Sequence, residues 1–453
     1  MKKQSDSDCG SGEVRAEWAE LRDALQEAEI AELPSRRIRN LHQELEALSQ
    51  PSDMKLALLG NYTLENVAPY VTVQGAQQGY LVDCYVGEFD QYFQEVLDEE
   101  SGLHNFGPDA LYLDVSLRDL YSEQIRTLSS LSESSRKDLA NEVIEHHEEW
   151  IRAAKTQFEG ALLVANFVPP RHRQLGVADV NESYGEMGFY RAVNRRLGEL
   201  MDDDVRAHLF DVSRLTAVYG RSRAFDSSMY YLAGMKWSAE FLPLLGGEVA
   251  RYVRALRGEA RKCLVLDLDD TLWGGIVGED GPSGIRIQAG DSVGEAYRDF
   301  QYAVKALQNR GIILAICSKN NEADALEAFE EHPDMPLSLQ DFSAREINWD
   351  RKHRNLKRIA DSLDIGTDSL VFVDDDPAEV ELVRQLMPEV DTVLLPDDPA
   401  DYVDRLMSLS HFEKLHILEE DAEKTQQYQN QDQRRNLRES ESELRAYLES
   451  LET

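Results

Sequence analysis

Short apolar runs bounded by polar residues recur along this chain, and the segments between them carry apolar residues at helical spacing. Such alternation predicts strands and helices in turn, an α/β layered architecture. Four runs, MKLALLG from Met54, DALYLDVS, GALLVANFV and AHLFDVS, fall before about residue 245. Three more follow: CLVLDL from Cys263, GIILAICSKN with Ser318 near its end, and SLVFVDDDP, which closes on Asp374, Asp375 and Asp376. The run at Cys263 is apolar on both faces, as parallel strands covered by helices on either side must be. Between the later runs one helix is predicted with Tyr297, Phe300, Ala303, Val304 and Leu307 on one face, closed by Gly311. Another carries Leu356, Ile359, Ala360 and Leu363, closed by Gly366, each glycine being a helix stop. Asp376 with Pro377 is a helix start. The pattern describes a doubly wound parallel sheet whose strands finish in polar residues, and in such sheets ligands bind at the carboxyl ends of the strands.

Around these two sheets the texture is helical. RAEWAELRDALQEAEIAEL and RRIRNLHQELEAL predict a helical N-terminal extension over 1–50, packed on the α/β domain expected at 51–245. GGEVARYVRALRGEARK predicts a connector helix at 246–260, with the second α/β domain at 261–407. From Ser408 onward the chain is charged with scattered apolar residues, so a helical C-terminal tail is expected at 408–453.

Composition narrows the function classes. The 453 residues, 42% of them hydrophobic, suffice for two to three domains. No apolar run approaches the length of a membrane span, and MKKQSDSDCGSGE has no apolar segment behind its lysines, so a cytoplasmic address is expected. The formal net charge of -37 disfavours nucleic acid and anionic membranes as partners, because an acidic surface repels phosphates. Against that background stand basic islands at Arg171, His172 and Arg173, at Arg195 and Arg196, and at Arg221 and Arg223. If they cluster in space they form a patch for an acidic partner. The four cysteines, Cys9, Cys84, Cys263 and Cys317, are widely spaced and contain no CxxC pair, which speaks against a disulfide framework or a thiolate zinc site.

The candidate chemistry lies at the end of the run from Cys263. Asp267 and Asp269 are two apart on an extended chain and point to one face. Two carboxylates that close stay ionised together only with a cation between them, and a hard, oxygen-seeking ion such as Mg²⁺ suits them. The strand ends at Ser318 and at Asp374 and Asp375 bring further polar groups to the same edge.

This set closely resembles the haloacid dehalogenase-like (HAD) superfamily. Its first motif appears as Asp267, Leu268, Asp269, Asp270 and Thr271, its second as Ser318, its third as Lys352 and its fourth as Asp374 and Asp375. The resemblance implies a Rossmann-like fold in which Asp267 attacks phosphorus and Asp269 is the general acid and base. It further implies that Thr271, Ser318 and Lys352 hold phosphoryl oxygens, while Asp267, Asp269, Asp374 and Asp375 hold Mg²⁺. The intervals between motifs leave no room for a large cap domain, so a capless, open crevice is expected, with WGGIVGEDGPSG as a flap hairpin. Finer signatures, DLDDTLWGGIVGEDG, AICSKNNEADALEAFEEHPDMPL, INWDRKHRNLKRIA and VFVDDDPAEVELVR, look like the FkbH-like subgroup. That subgroup implies capture of the phosphoglyceryl group of 1,3-bisphosphoglycerate as a thioester, removal of its phosphate, and transfer of the glyceryl unit to an acyl carrier protein in polyketide-type biosynthesis. The alternative is a phosphatase of small phosphomonoesters that uses no carrier. A thioester needs a thiol, and Cys317, just before Ser318, is the candidate. Two positions depart from the usual pattern: Asp350 and Arg351 stand between Trp349 and Lys352, and Asp376 stands where asparagine is common. Upstream, LALLGNYTLENVAPYV, the asparagine of LLVANFVPP and the aspartate of AFDSSMYYLAG resemble the ordered blocks of the SGNH-hydrolase fold. Gly60, Asn61 and Tyr62 replace its Gly-Asp-Ser turn and Met229 replaces its histidine, so the resemblance implies a non-hydrolytic module.

Overall fold

A computed structural model describes residues 18–417, apart from 23, 26, 27, 49, 183, 203 and 204. Cys9 and the part of the expected tail from 418 to 453 lie outside the described residues. The chain divides into two compact units, 1–253 and 254–453.

In the first unit five strands, β1 (Met54–Gly60), β2 (Val82–Val86), β3 (Ala110–Asp114), β4 (Ala161–Ala165) and β5 (Ala207–Phe210), form one sheet in the order β2-β1-β3-β4-β5. Every pairing is parallel. The inward-facing Ala57 and Leu59 of β1 and Leu111 and Leu113 of β3 pack with Val143, Trp150 and Ile151 of the long helix Glu133–Gln157. That helix starts where Ser132 Oγ accepts from Ser135 N at 3.1 Å, an N-cap hydrogen bond. The helix Ser35–Glu46 of the N-terminal extension buries Ile38, Leu41 and Leu45, one face at helical spacing. Tyr70 of the helix Ala68–Gln77 donates to Ser35 Oγ at 3.2 Å, so the extension is packed on this unit. The helix Leu242–Leu256 carries the chain across the boundary between the units.

The second unit holds β6 (Cys263–Leu266), β7 (Ile313–Ser318), β8 (Phe342–Ile347), β9 (Leu370–Asp374) and β10 (Asp391–Leu394), again all parallel, in the order β10-β9-β6-β7-β8. Period-two alternation sorts its strands between two cores. Leu264, Leu266, Leu314 and Ile316 meet Phe300, Val304 and Leu307 of the helix Ser292–Asn309 on one face. Cys263, Val265, Ala315 and Cys317 meet Leu356, Ile359 and Leu363 of the helix Lys352–Leu363 on the other. Between β6 and β7 lie the single turn Val277–Asp280 and the helix Ser292–Asn309, and between β7 and β8 the helix Glu322–Glu331. No cap domain is inserted there. Among the described residues no helix is long and apolar enough to cross a membrane.

The flap differs from a plain hairpin. Its ends pair, with Gly274 and Arg286 exchanging backbone hydrogen bonds at 3.1 and 2.7 Å, but its middle winds into the turn Val277–Asp280. Val277 anchors that turn by burial, and Asp280 accepts from the Ile276 N–H at 3.0 Å.

Candidate active site

Strand order assembles the site. Leu266 at the end of β6 is in register with Val373 of β9, so Asp267 and Asp374 emerge side by side at the carboxyl edge, with Asp267 N donating to Val373 O at 3.2 Å. Lys352, the first residue of the helix Lys352–Leu363, reaches between them. Its Nζ lies 2.6 Å from Asp267 Oδ2 and 2.5 Å from Asp374 Oδ2. Lys352 is 2% exposed and Asp374 fully buried, so this ion pair is little screened. Burial works against the lysine's charge, but the two carboxylates outweigh it and hold the lysine protonated. Burial, with the charge of Asp267 beside it, pushes the Asp374 carboxyl up to about 7. Burial likewise lifts Asp375 to about 6.

Carboxylate oxygens of Asp267, Asp374 and Asp375 all lie within 4.8 Å of one another. Lys352 meets two of these three acids, Thr271 meets the third, and Asp267 Oδ1 is buried with no hydrogen-bond partner. An unpaired oxygen of that kind is costly unless something meets it. An all-oxygen donor set with surplus negative charge fits Mg²⁺.

Asp269 stands outside this set. Its Oδ1 accepts from Trp273 Nε1 at 2.9 Å and from Val277 N at 3.0 Å, and its Oδ2 accepts from Asn320 Nδ2 at 2.8 Å. Burial raises its pKa despite these donors. The carboxyl is therefore aimed by the flap and by Asn320 rather than gathered with the other three acids, because the chain leaves extended geometry after Leu266 and the two-residue alternation no longer applies. Asp270 has φ 50°, a left-handed turn that non-glycine residues seldom adopt. Its carbonyl accepts from Tyr402 Oη at 2.9 Å and its Oδ1 from Gly275 N at 2.8 Å, which pin the turn.

Of the three groups expected to hold phosphoryl oxygens, Lys352 and Ser318 lie at the carboxyl edge, Ser318 as the last residue of β7 and 2% exposed. Thr271 is committed elsewhere: its Oγ1 donates to Asp375 Oδ1 at 2.9 Å. Cys317 points into the apolar layer under the helix Lys352–Leu363, with its Sγ 3.7 Å from the Lys352 carbonyl. Burial drives its thiol pKa far up against the pull of Lys352. Cys263 is raised by burial as well, and Cys84 is pushed up to about 12. Asn320 and Trp273 were not singled out by motif reasoning. Asn320 lies two residues past Ser318, where β7 has already ended, so strand alternation gives no signal for it.

In the first unit the residues of the upstream resemblance are spent on backbone. Asn61 accepts from Ser116 N at 2.7 Å and donates to Ser116 O at 3.0 Å. Asn166 accepts from Ser213 N at 2.8 Å, and Asp226 caps the helix Ser227–Ala233. No serine nucleophile or histidine base stands at these positions.

Residues 55–253 match the profile of the FkbH N-terminal domain. No curated protein matches the chain. Among solved structures, the N-terminal part of the protein BF1531 from Bacteroides fragilis, described as containing a phosphatase domain complexed with Mg, is 31% identical. The match covers 84% of this chain and 99% of that one, with a TM-score of 0.74. An uncharacterized protein from Corynebacterium glutamicum matches 33% of this chain and 96% of its own at 14% identity, with a TM-score of 0.22, which carries no structural argument. At 31% identity over 99% of its length, the Bacteroides fragilis phosphatase-domain protein defines the family to which this chain belongs.

Proposed function

We propose that the second unit is a Mg²⁺-dependent phosphatase of the haloacid dehalogenase type, acting on a glyceryl phosphate bound for an acyl carrier protein. The observation that carries the phosphatase reading is Lys352 held between Asp267 and Asp374, with Asp267 Oδ1 left without a partner beside them. The description of the Bacteroides fragilis relative, a phosphatase domain complexed with Mg, supports it.

Asp267, Asp374 and Asp375 would hold the ion. A bound Mg²⁺ supplies the charge that lets a carboxylate approach a phosphate dianion. Asp267 forms the new O–P bond as the ester O–P bond breaks, and Lys352 offsets charge on the transferring oxygens. Asp269, held by Trp273, Val277 and Asn320 and raised in pKa, gives its proton to the leaving alkoxide. It then takes a proton from the water that cleaves the aspartyl-phosphate to inorganic phosphate.

For the glyceryl substrate, a thiol attacks the carbonyl carbon of 1,3-bisphosphoglycerate and expels its acyl phosphate as inorganic phosphate. The thioester that forms still bears the 3-phosphate, which Asp267 then removes. Among the described residues the thiols, those of Cys84, Cys263 and Cys317, are all held protonated by burial, and we assign the attacking thiol to the carrier's pantetheine arm. The uncapped crevice edge, with Ile276 on the flap and the exposed Trp349 before Lys352, suits such an arm. The first unit would then be a non-hydrolytic SGNH-like module.

Intact-protein mass spectrometry decides the matter. Enzyme, Mg²⁺, 1,3-bisphosphoglycerate and a pantetheinylated carrier are expected to yield carrier heavier by one glyceryl unit, with Cys317→Ala still active. A carrier that stays unmodified, while small phosphomonoesters turn over rapidly, favours the alternative, a carrier-independent phosphatase. That second reading draws on the same burial of the cysteines.

A further inference from the structure

The first unit contains a cleft of about 560 Å³ that the chemistry proposed for the second unit does not use. It opens at the carboxyl ends of the strands, where the segments after β3 and β4 leave the sheet, the place where parallel α/β sheets take ligands. Its size is that of a small-molecule site. Its lining joins two of the basic islands, bringing Arg171 and Arg221 together with Arg118, Arg126 and Lys236. Two carboxylates, Glu186 and Asp226, share the wall. Asp226 spends Oδ1 on two backbone N–H groups at 2.9 Å, and Glu186 accepts from Gln174 N at 2.8 Å. Lys236 is neutralised by Asp114 at 3.0 Å. Four arginines therefore face two carboxylates that are already engaged, inside a protein whose formal charge is -37.

Two features mark the cleft as built rather than fortuitous. Arg118 is oriented in advance: its guanidinium donates to Tyr231 Oη at 2.6 Å and lies 5.1 Å from the centroid of the Tyr230 ring. Arg221 Nε is buried without a hydrogen-bond partner, a donor whose cost an incoming acceptor would relieve. Guanidinium forks match phosphate oxygens in pairs. Part of the remaining wall is apolar, formed by Phe167, Pro169, Pro170 and Phe225, beside polar groups that include Gln174 and Ser222. Concavity argues against a flat acidic protein surface as the occupant, and the apolar walls against a bare anion.

We propose that this cleft binds a small organic phosphate, its phosphate on the arginines and an uncharged arm along the apolar wall. The inference does not rest on the phosphatase reading. Isothermal titration of the full chain in a chelator, with phenylphosphonate, methylphosphonate and inorganic phosphate as probes, tests it. Phenylphosphonate is expected to bind most tightly, with an affinity that falls as salt rises. Asp267→Asn is expected to bind it unchanged, whereas Arg171→Gln with Arg221→Gln weakens it about tenfold or more. The pair Arg171→Lys with Arg221→Lys, which keeps charge but not the fork, is expected to fall between. Circular dichroism matching the parent shows that each variant is folded. Absence of saturable binding overturns the proposal. So does equal affinity for all three probes, or loss of binding in Asp267→Asn with none in the arginine variants, which would place the phosphonate in the second unit.

Discussion

A single buried cation organises the chemistry of the second unit. Lys352 bridges Asp267 and Asp374 at 2.6 and 2.5 Å, and removing it leaves two buried acids facing each other. Lys352→Met is expected to lower turnover of a phosphomonoester by about 10²–10³-fold and unfolding free energy by about 3–5 kcal/mol. Steady-state kinetics and urea unfolding check the two effects separately. In the first unit His147 is the opposite case, a buried group kept neutral. Burial lowers its pKa from 6.5 to about 4, although its Nδ1 donates to Val143 O at 2.8 Å. The unfolded chain therefore takes up a proton before the folded one does. Its contribution is complete above pH 6.5 and is lost as pH falls toward about 4, roughly 3 kcal/mol in all. His147→Phe should flatten the decline of stability between these two pH values, as followed by urea unfolding. A parallel decline in the variant would show that other groups govern that range. The role of His147 was not readable from the sequence alone, since a histidine in a helix carries no mark of its burial, whereas Lys352 was legible through its motif.

Among the elements, helix ends offer the cleanest test. The helix Lys352–Leu363 stops at Asp364, which adopts the left-handed conformation, φ 54° and ψ 46°, while its N–H returns to Ala360 O and Asp361 O. The sequence suggested that Gly366 closes this helix. Glycine instead stands two residues on at φ -71°, and the left-handed position fell to an aspartate, one of the few other residues that tolerate it. Asp364→Gly, at an exposed site remote from Lys352 in its helix, is expected to stabilise the second unit by about 0.5–1 kcal/mol. A rise in thermal midpoint with unchanged turnover would show this; a fall would mean that the aspartate side chain matters more than its backbone strain. The flap teaches a related lesson. WGGIVGEDGPSG reads as turn-forming, yet burial of Val277 and the donors converging on Asp269 wind its middle into a helical turn that serves the site.

At the scale of the molecule, 85 acidic side chains against 48 basic ones set a repulsive background. Moderate salt should therefore raise the thermal midpoint by screening that repulsion, as a melting series in sodium chloride would read. A midpoint that falls with salt would mean that specific ion pairs outweigh net repulsion. The same background sharpens the arginine cleft, since cations gathered against it need a local reason. The parallel sheet of the second unit was foreseeable, because its central strands, buried on two faces, read as unbroken apolar runs, whereas the half-buried β2, β8 and β10 carry no such mark.

Sequence by itself determined the alternation of strand and helix, the order of the acidic motifs and the positions of Asp267, Ser318, Lys352, Asp374 and Asp375 at strand or helix ends. These are local properties, written in periodicity and in the polar residues that stop it. Tertiary structure decided what one-dimensional spacing cannot express. It set Asp269 apart from the acids that could share an ion, turned Thr271 toward Asp375, and pointed Cys317 into the apolar layer beneath a helix. It also joined Arg171 and Arg221 across fifty residues of chain. Each outcome follows from where a side chain points once β6, β7 and β9 are laid edge to edge, and that direction is fixed by packing rather than by neighbours in sequence.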